Sequence, residues 1–67
     1  MKNKLFELRT EYNLSIDEFC YLIKQTYSIQ IHPHKVELWE NNKEIIPNFY
    51  IHIFSSYFNI EPSEFER

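Results

Sequence analysis

The chain has 67 residues, of which 43% are apolar and 18% are aromatic, a composition too hydrophobic for a disordered segment. This length allows one small domain with one shared core, and the formal net charge of −3 excludes a protein that binds phosphates through bulk positive charge. Because no stretch resembles a membrane span or a signal sequence, and the single cysteine cannot form an internal disulfide, we expect a soluble cytoplasmic protein.

Residues 4–12 are predicted to form the first helix. Leu5, Leu8 and Tyr12 recur at the spacing of one helix face, so we expect them to pack on the core. The opposite face would then expose charged side chains, among them Arg9.

Residues 15–26 are predicted to form the second helix. It begins with a capping box, in which the Ser15 hydroxyl accepts from the third helical N–H and Glu18 reaches back to the serine N–H. Cys20 lies on the apolar face, where we expect a small buried hydrophobe and not a reactive thiol. The apolar face, at the spacing i, i+3, i+4 and i+7, contains Ile16, Phe19, Cys20, Ile23 and Tyr27.

Residues 33–41 are predicted to form the third helix. Pro33 suits its first position, where no N–H is needed, and His32 precedes a proline and is therefore kept out of helical geometry, as an N-cap requires. Val36 and Trp39 would form the inner side of this helix. We interpret Trp39 as a core anchor.

Residues 48–58 are predicted to form the fourth helix, and a last short turn is expected at residues 62–66. The chain contains no glycine, and asparagine is the next residue that tolerates left-handed backbone angles at helix ends. The predicted fold class is therefore all-α, with four or five helices joined by short asparagine-containing turns. The asparagines expected at these ends are Asn13, Asn41 or Asn42, and Asn59.

The chain resembles the lambda-repressor/Cro-type (XRE-like) helix-turn-helix family in three segments, LRTEYNLSIDEF, VELWENNKEIIP and YFNIEPSEF. This resemblance covers most of the chain and implies a single four- to five-helix helix-turn-helix domain. The third helix would then be the recognition helix, which lies in the major groove of DNA. Two family glycines are replaced by Asn42 and Asn59, and the connection between helices two and three is longer than in the family pattern.

The resemblance implies which side chains would contact DNA. On the outer side of the third helix, a histidine and a lysine can donate to base edges, a glutamate can accept from cytosine, and a leucine can contact a thymine methyl. Arg9 would be a further cation beside the groove. The base-reading candidates are His34, Lys35, Glu37 and Leu38. The phosphate candidates are Ser15, Lys24 and Lys43.

The charge of the third helix and its flanks does not favour DNA binding. Residues 31–44 contain two lysines against three glutamates, a net charge of −1 with histidine neutral. Since non-specific affinity for DNA comes mainly from neutralised phosphates, binding would require the cations to lie on one side and the acids on another.

The fourth helix carries more apolar surface than one buried face needs. Surplus apolar surface of this kind is typical of an interface, and operators are commonly palindromic because the protein is a two-fold symmetric dimer. We therefore expect a homodimer; the alternative is that these side chains cover one another in the small core. The interface candidates are Tyr50, Ile53, Tyr57 and Phe65.

The sequence lacks the parts of an enzyme, having no glycine-rich phosphate loop, no nucleophile beside a base and no evident carboxylate pair. Glu40 is interpreted as structural, paired with a cation of the same chain. His32 and His34 flank a proline with no further ligand at a recognisable spacing, so we expect no metal and no cofactor.

Two functions remain open. The first is a small sequence-specific transcriptional regulator of phage or mobile-element type, which binds an operator on double-stranded DNA as a dimer and represses by occupying it. The alternative is a helix-turn-helix scaffold used as a protein-binding module, for example an antirepressor or a phage-encoded inhibitor of a host DNA-acting protein.

Overall fold

A computed structural model describes residues 3–66 and the side chains of residues 3–65. Its radius of gyration of 10.7 Å matches the roughly 11 Å of a folded chain of this length. No strand is found among the described residues, so the all-α class expected from the sequence is confirmed. The elements are α1 (Lys4–Glu11), α2 (Ile16–Tyr27), α3 (Pro33–Glu40), α4 (Asn48–Phe58) and a 3-10 helix (Pro62–Glu66).

Side-chain caps fix the starts of α1, α2 and α3, whereas the residue before α4 makes no capping hydrogen bond through its side chain. Ser15 Oγ accepts from the Glu18 N–H at 3.1 Å, and Glu18 Oε1 accepts from the Ser15 N–H at 2.8 Å, which confirms the capping box. His32 Nδ1 accepts from the His34 N–H at 3.2 Å, with Pro33 at the first helical position, so the predicted cap of α3 is also confirmed. The four α-helices begin and end within one residue of the bounds expected from the sequence.

Left-handed residues connect the helices. Asn13, Asn42 and Asn59 have φ angles of 57°, 60° and 58°, as the absence of glycine predicts. Ser28 has a φ of 60° and was not expected, because α2 continues to Tyr27, one residue past its predicted end. The Ser28 N–H donates to the Lys24 carbonyl at 2.8 Å, so this serine caps α2 despite the steric cost of the left-handed conformation.

Aromatic side chains of α2, α3 and α4 form the centre of a core that also contains aliphatic side chains, those of α1 among them. Phe19, Trp39 and Phe54 are each at most 1% exposed. The Phe19 and Phe54 ring centroids lie 5.3 Å apart, and those of Trp39 and Phe54 lie 5.9 Å apart in an edge-on arrangement. Phe58 stacks on Phe19 at 5.7 Å. Large aromatic side chains explain how so short a chain buries a continuous core.

Two residues of the first helix differ from the sequence prediction. Arg9 was expected on the exposed face, but it is only 9% exposed, because its guanidinium is paired with Glu40 of α3. Tyr12 was expected in the core, but it is 53% exposed. Tyr12 follows the last residue of α1 and contacts the edge of the Phe58 ring at a centroid distance of 5.1 Å.

Candidate nucleic-acid interface

Helix α3 is attached to the rest of the molecule through its inner side. Val36, Trp39 and Glu40 are buried, and the helix packs against both α1 and α2. Near its end, the Asn3 side-chain amide donates to the Trp39 carbonyl at 2.7 Å. The outer side of α3 is therefore held in a fixed orientation.

A buried ion pair provides the polar part of this attachment. Arg9 Nε and Nη2 donate to the two carboxylate oxygens of Glu40 at 2.6 and 2.9 Å, and Arg9 Nη1 donates to the Leu14 carbonyl at 2.7 Å. The Glu40 hydrogen bond is the main cause of a raised pKa of the Arg9 guanidinium, while burial opposes it. The structural role expected for Glu40 is confirmed, and the charge of Arg9 is engaged by this carboxylate and is not free to bind a phosphate.

The base-reading candidates lie close together on α3. His34, Lys35 and Glu37 are exposed, whereas Leu38 is half-buried. Each of the two donors faces a carboxylate of the same chain: His34 Nδ1 lies 3.4 Å from Glu37 Oε1, and Lys35 Nζ donates to Glu44 Oε1 at 2.7 Å. The Lys35–Glu44 pair spans the turn after α3 and was not expected from the sequence.

A groove of about 540 Å³ runs between the starts of α2 and α3. The charge of Arg9 in its lining is offset by Glu40, so Asp17 and Glu37 give this groove an acidic character. The positive end of the α2 dipole is likewise partly offset by Asp17 and Glu18 in its first turn. The lining residues are Arg9, Ser15, Ile16, Asp17, Pro33, His34 and Glu37.

The phosphate candidates occupy different places. Ser15 lines the groove beside α3. Lys43 is exposed in the turn after α3, where its N–H donates to the Leu38 carbonyl at 2.9 Å. Lys24 lies in the last turn of α2, roughly 13 Å along the helix axis from Ser15. Among the described ion pairs none involves Lys24 or Lys43, whereas Lys4 pairs with Glu64 at 3.4 Å.

The interface candidates pack against the core of their own chain. Ring centroids of Tyr50 and Trp39 lie 5.0 Å apart, those of Tyr57 and Phe58 5.1 Å apart, and those of Phe65 and Phe54 6.4 Å apart. Ile53 is also partly buried against the core. These contacts fit the alternative in which the side chains cover one another, and the homodimer stays a prediction.

The sequence interpretation missed two exposed apolar side chains near the start of α4. Ile45 is 91% exposed and Phe49 is 58% exposed, close together in sequence at the start of α4. The sequence did contain a sign that one apolar residue here is exposed. Ile45 and Ile46 are adjacent before Pro47, and two neighbouring side chains rarely share one buried face. The structure buries Ile46 and leaves Ile45 in solvent.

Cys20 and the histidines were the remaining residues that could carry reactive or metal-binding chemistry. Burial, with smaller effects of the Asp17 and Glu40 charges, raises the pKa of the Cys20 thiol to about 11, which confirms its interpretation as an unreactive buried residue. Within residues 3–66, no three His, Cys, Asp or Glu side chains are grouped as a metal site would need. In the same range, no helix is both long enough and apolar enough to cross a membrane.

Comparison with known proteins finds no match to the chain among family models, curated proteins or solved structures. The structure by itself defines the protein as all-helical, with four α-helices and a 3-10 helix over the described residues. The helix-turn-helix family stays a prediction from the sequence motifs.

Proposed function

We propose that the protein is a small sequence-specific DNA-binding regulator of the helix-turn-helix type, with α2 and α3 as the two helices of the motif. The observation that carries the proposal is the arrangement of α3. This eight-residue helix is anchored by a buried inner side, exposes three polar side chains on its outer side, and starts next to the capped end of α2. A short helix presented in this way is what insertion into the major groove requires.

In this proposal the exposed side chains of α3 contact bases. Lys35 donates to guanine or to a phosphate, His34 donates to a base edge, and Glu37 accepts from cytosine. Half-buried Leu38 supplies an apolar contact to a thymine methyl. Ser15 and Lys43 contact phosphates on either side of α3, with Lys24 as a further cation. Two copies bind a palindromic operator and repress transcription by occupying it.

The proposal is tested by selecting bound duplexes from a random-sequence pool at low salt. We expect one half-site to be enriched, and Lys35→Gln to weaken its binding about tenfold or more, as loss of a base contact does. Lys4→Gln is the matched control, because it removes the same charge from α1 beside the 3-10 helix, and it should change affinity less than about twofold. No enrichment, or equal effects of the two variants, would contradict the proposal.

A protein-binding module is the second candidate, and two observations favour it. The groove beside α3 is acidic, and Ile45 and Phe49 are exposed apolar side chains. In that case the partner is a host or phage protein. The double variant Ile45→Ser with Phe49→Ser should then no longer bind this partner, whereas Lys35→Gln should bind it as the unaltered chain does. Tyr21→Ser is the control, since Tyr21 lies on α2 and is 61% exposed, close to the 58% of Phe49.

A further inference from the structure

Helix α4 and the residues before it form the longest uncharged part of the chain. Residues 45–60 contain no Lys, Arg, Asp or Glu, although such residues make up 25% of the sequence and would number about four in a segment of this length. The exposed apolar side chains of Ile45 and Phe49 belong to this segment. We infer that the outer side of α4 binds a second copy of the same chain. The operator complex would use this surface, and only in that role does the inference rest on the proposed function.

The outer side of α4 lies opposite its buried face. At about 100° per residue, the direction away from the four buried residues of α4 is taken by Phe49, Ile53 and Ser56, at the spacing i, i+4 and i+7. Phe49 and Ser56 are exposed, and Ile53 is half-buried. These three residues form the outer stripe of α4. The stripe begins with a large apolar ring and ends with a small side chain.

The absence of charge is what a surface that binds its own copy requires. In a two-fold dimer each patch meets the same patch, so every uncompensated charge meets a like charge. The chain has a net charge of −3, which opposes the approach of a second copy through a charged surface. The outer stripe avoids this repulsion, and the nearby Glu44 is paired with Lys35 at 2.7 Å. A partner of opposite charge would gain no attraction here, whereas a second acidic copy needs a neutral surface.

The order of side chains along the stripe suits an antiparallel pair of α4 helices. With the two-fold axis beside Ile53, Phe49 of one copy lies opposite Ser56 of the other, and the contact occurs twice. Phe49 and Ser56 are seven residues apart, about 10 Å along the helix, so the two contacts lie at the ends of the stripe. Ile45 lines a groove of about 460 Å³ near the start of α4, which leaves space for side chains of the second copy.

The area available predicts a weak dimer. The accessible surface is 4597 Å², and a small protein typically contributes about 10% of its surface to an interface, here about 460 Å² per copy. A dimer would then bury about 900 Å² in total, less than the roughly 1,200 Å² of stable complexes. We therefore expect a dissociation constant on the order of tens of micromolar for the free chain.

The test is sedimentation equilibrium of the unaltered chain from about 5 to about 500 µM, where we expect a monomer–dimer equilibrium. Phe49→Lys should raise the dissociation constant about tenfold or more, because two lysines must then lose water in the interface. Tyr21→Lys is the matched control, since it makes the same change of charge at a side chain of similar exposure on α2, and it should stay within about twofold. Thermal melting by circular dichroism checks that each variant is folded.

A second pair of variants tests the antiparallel arrangement. In Phe49→Lys with Ser56→Asp, each introduced lysine lies opposite the introduced aspartate of the other copy, so the dissociation constant should return to within about threefold of that of the unaltered chain. Phe49→Lys with Gln25→Asp has the same net charge but places the acid on α2, and it should not recover. Recovery in both double variants, or in neither, would overturn the antiparallel pairing.

The outcomes separate the inference from the proposed function. A chain that stays monomeric up to about 500 µM, or a dimer unaffected by Phe49→Lys, overturns the inference even if the chain binds the selected duplex. The first result would leave the outer stripe to another occupant, such as a host or phage protein. A dimer that depends on Phe49 but binds no duplex at about 50 mM salt overturns the proposed function and supports the inference.

Discussion

Arg9 and Glu40 form the buried contact that joins α1 to α3. Removing two charges from water costs free energy. This desolvation cost is offset only because both carboxylate oxygens of Glu40 and three guanidinium nitrogens of Arg9 are hydrogen-bonded. Loss of one partner would leave the other charged and buried. The pair is thus more important for the position of α3 than for the net stability of the fold.

We predict that Glu40→Ala destabilises the protein by about 3–5 kcal/mol, because Arg9 is left as an unpaired buried charge. Since a domain of this size has only about 3–10 kcal/mol of stability, this loss is a large part of the total free energy of unfolding. Urea unfolding followed by circular dichroism measures the change. Glu37→Ala, on the exposed side of the same helix, should stay within about 0.5 kcal/mol of the unaltered chain.

The double variant Arg9→Met with Glu40→Leu keeps this prediction testable if Glu40→Ala does not fold. Replacing both charges by apolar groups removes the desolvation cost, so the double variant should recover most of the lost stability. A double variant as unstable as Glu40→Ala, or a Glu40→Ala variant as stable as Glu37→Ala, would contradict a buried, compensated ion pair.

Cys20 gives a prediction for alkaline pH. Its thiol has a pKa raised by burial from 9.0 to about 11, so the unfolded chain releases the proton at lower pH than the folded chain. The free energy of unfolding contributed by Cys20 is therefore constant below pH 9 and falls as the pH rises toward 11, by about 1.4 kcal/mol per pH unit. Cys20→Ala should remove this part of the decline in urea unfolding between pH 8 and 11. Parallel curves for the two proteins would contradict a buried thiol.

The pairings of charged residues were the part of the molecule that the sequence did not predict. Helical periodicity assigned Arg9 to the exposed face, because nothing local indicates a partner 31 positions away. The Lys35–Glu44 pair was missed for a similar reason, since it depends on how the turn after α3 folds back. Such contacts follow from tertiary structure and not from local spacing.

At the scale of the elements, helix boundaries were predictable because their signals are local. The Ser15 capping box and the His32–Pro33 start each involve residues within three positions of one another. Asparagines at positive φ mark three of the ends. The end of α2 had no such marker, and Ser28 adopts the left-handed conformation there.

Ser28→Gly is expected to stabilise the protein by about 1 kcal/mol, because glycine adopts φ of 60° without the steric cost that serine carries. The measurement is the shift in the midpoint of thermal or urea unfolding. Gln25→Gly, three residues earlier and exposed within α2, should instead destabilise by up to about 1 kcal/mol. Equal effects of the two substitutions would mean that α2 does not end at Ser28.

At the scale of the whole molecule, the fold class followed from the sequence and the binding surface did not. Apolar spacing and the absence of glycine were enough to predict an all-α chain. The exposure of Ile45 and Phe49, and the half-burial of Tyr50 and Tyr57, depend on how α4 turns relative to the core. Periodicity alone does not determine that rotation when aromatic residues lie on several faces.

The net charge of −3 limits how the molecule can bind DNA. Of the described cations, Arg9 is buried and Lys4 pairs with the 3-10 helix, which leaves Lys24, Lys35 and Lys43 for phosphates or bases. With two or three phosphate contacts per bound domain, the logarithmic salt slope should be about −1.8 to −2.7. Affinity should therefore fall only about ten- to fortyfold between about 50 and 200 mM salt.

The most direct measurement of the central claim is a fluorescence anisotropy titration of the unaltered chain at these two salt concentrations, against the selected duplex and a scrambled duplex of equal composition. The account predicts tighter binding to the selected duplex and the shallow salt dependence given above, which together indicate base contacts by α3. Equal affinity for both duplexes would contradict sequence-specific binding by α3, and no binding at about 50 mM salt would contradict a DNA-binding role and favour a protein partner.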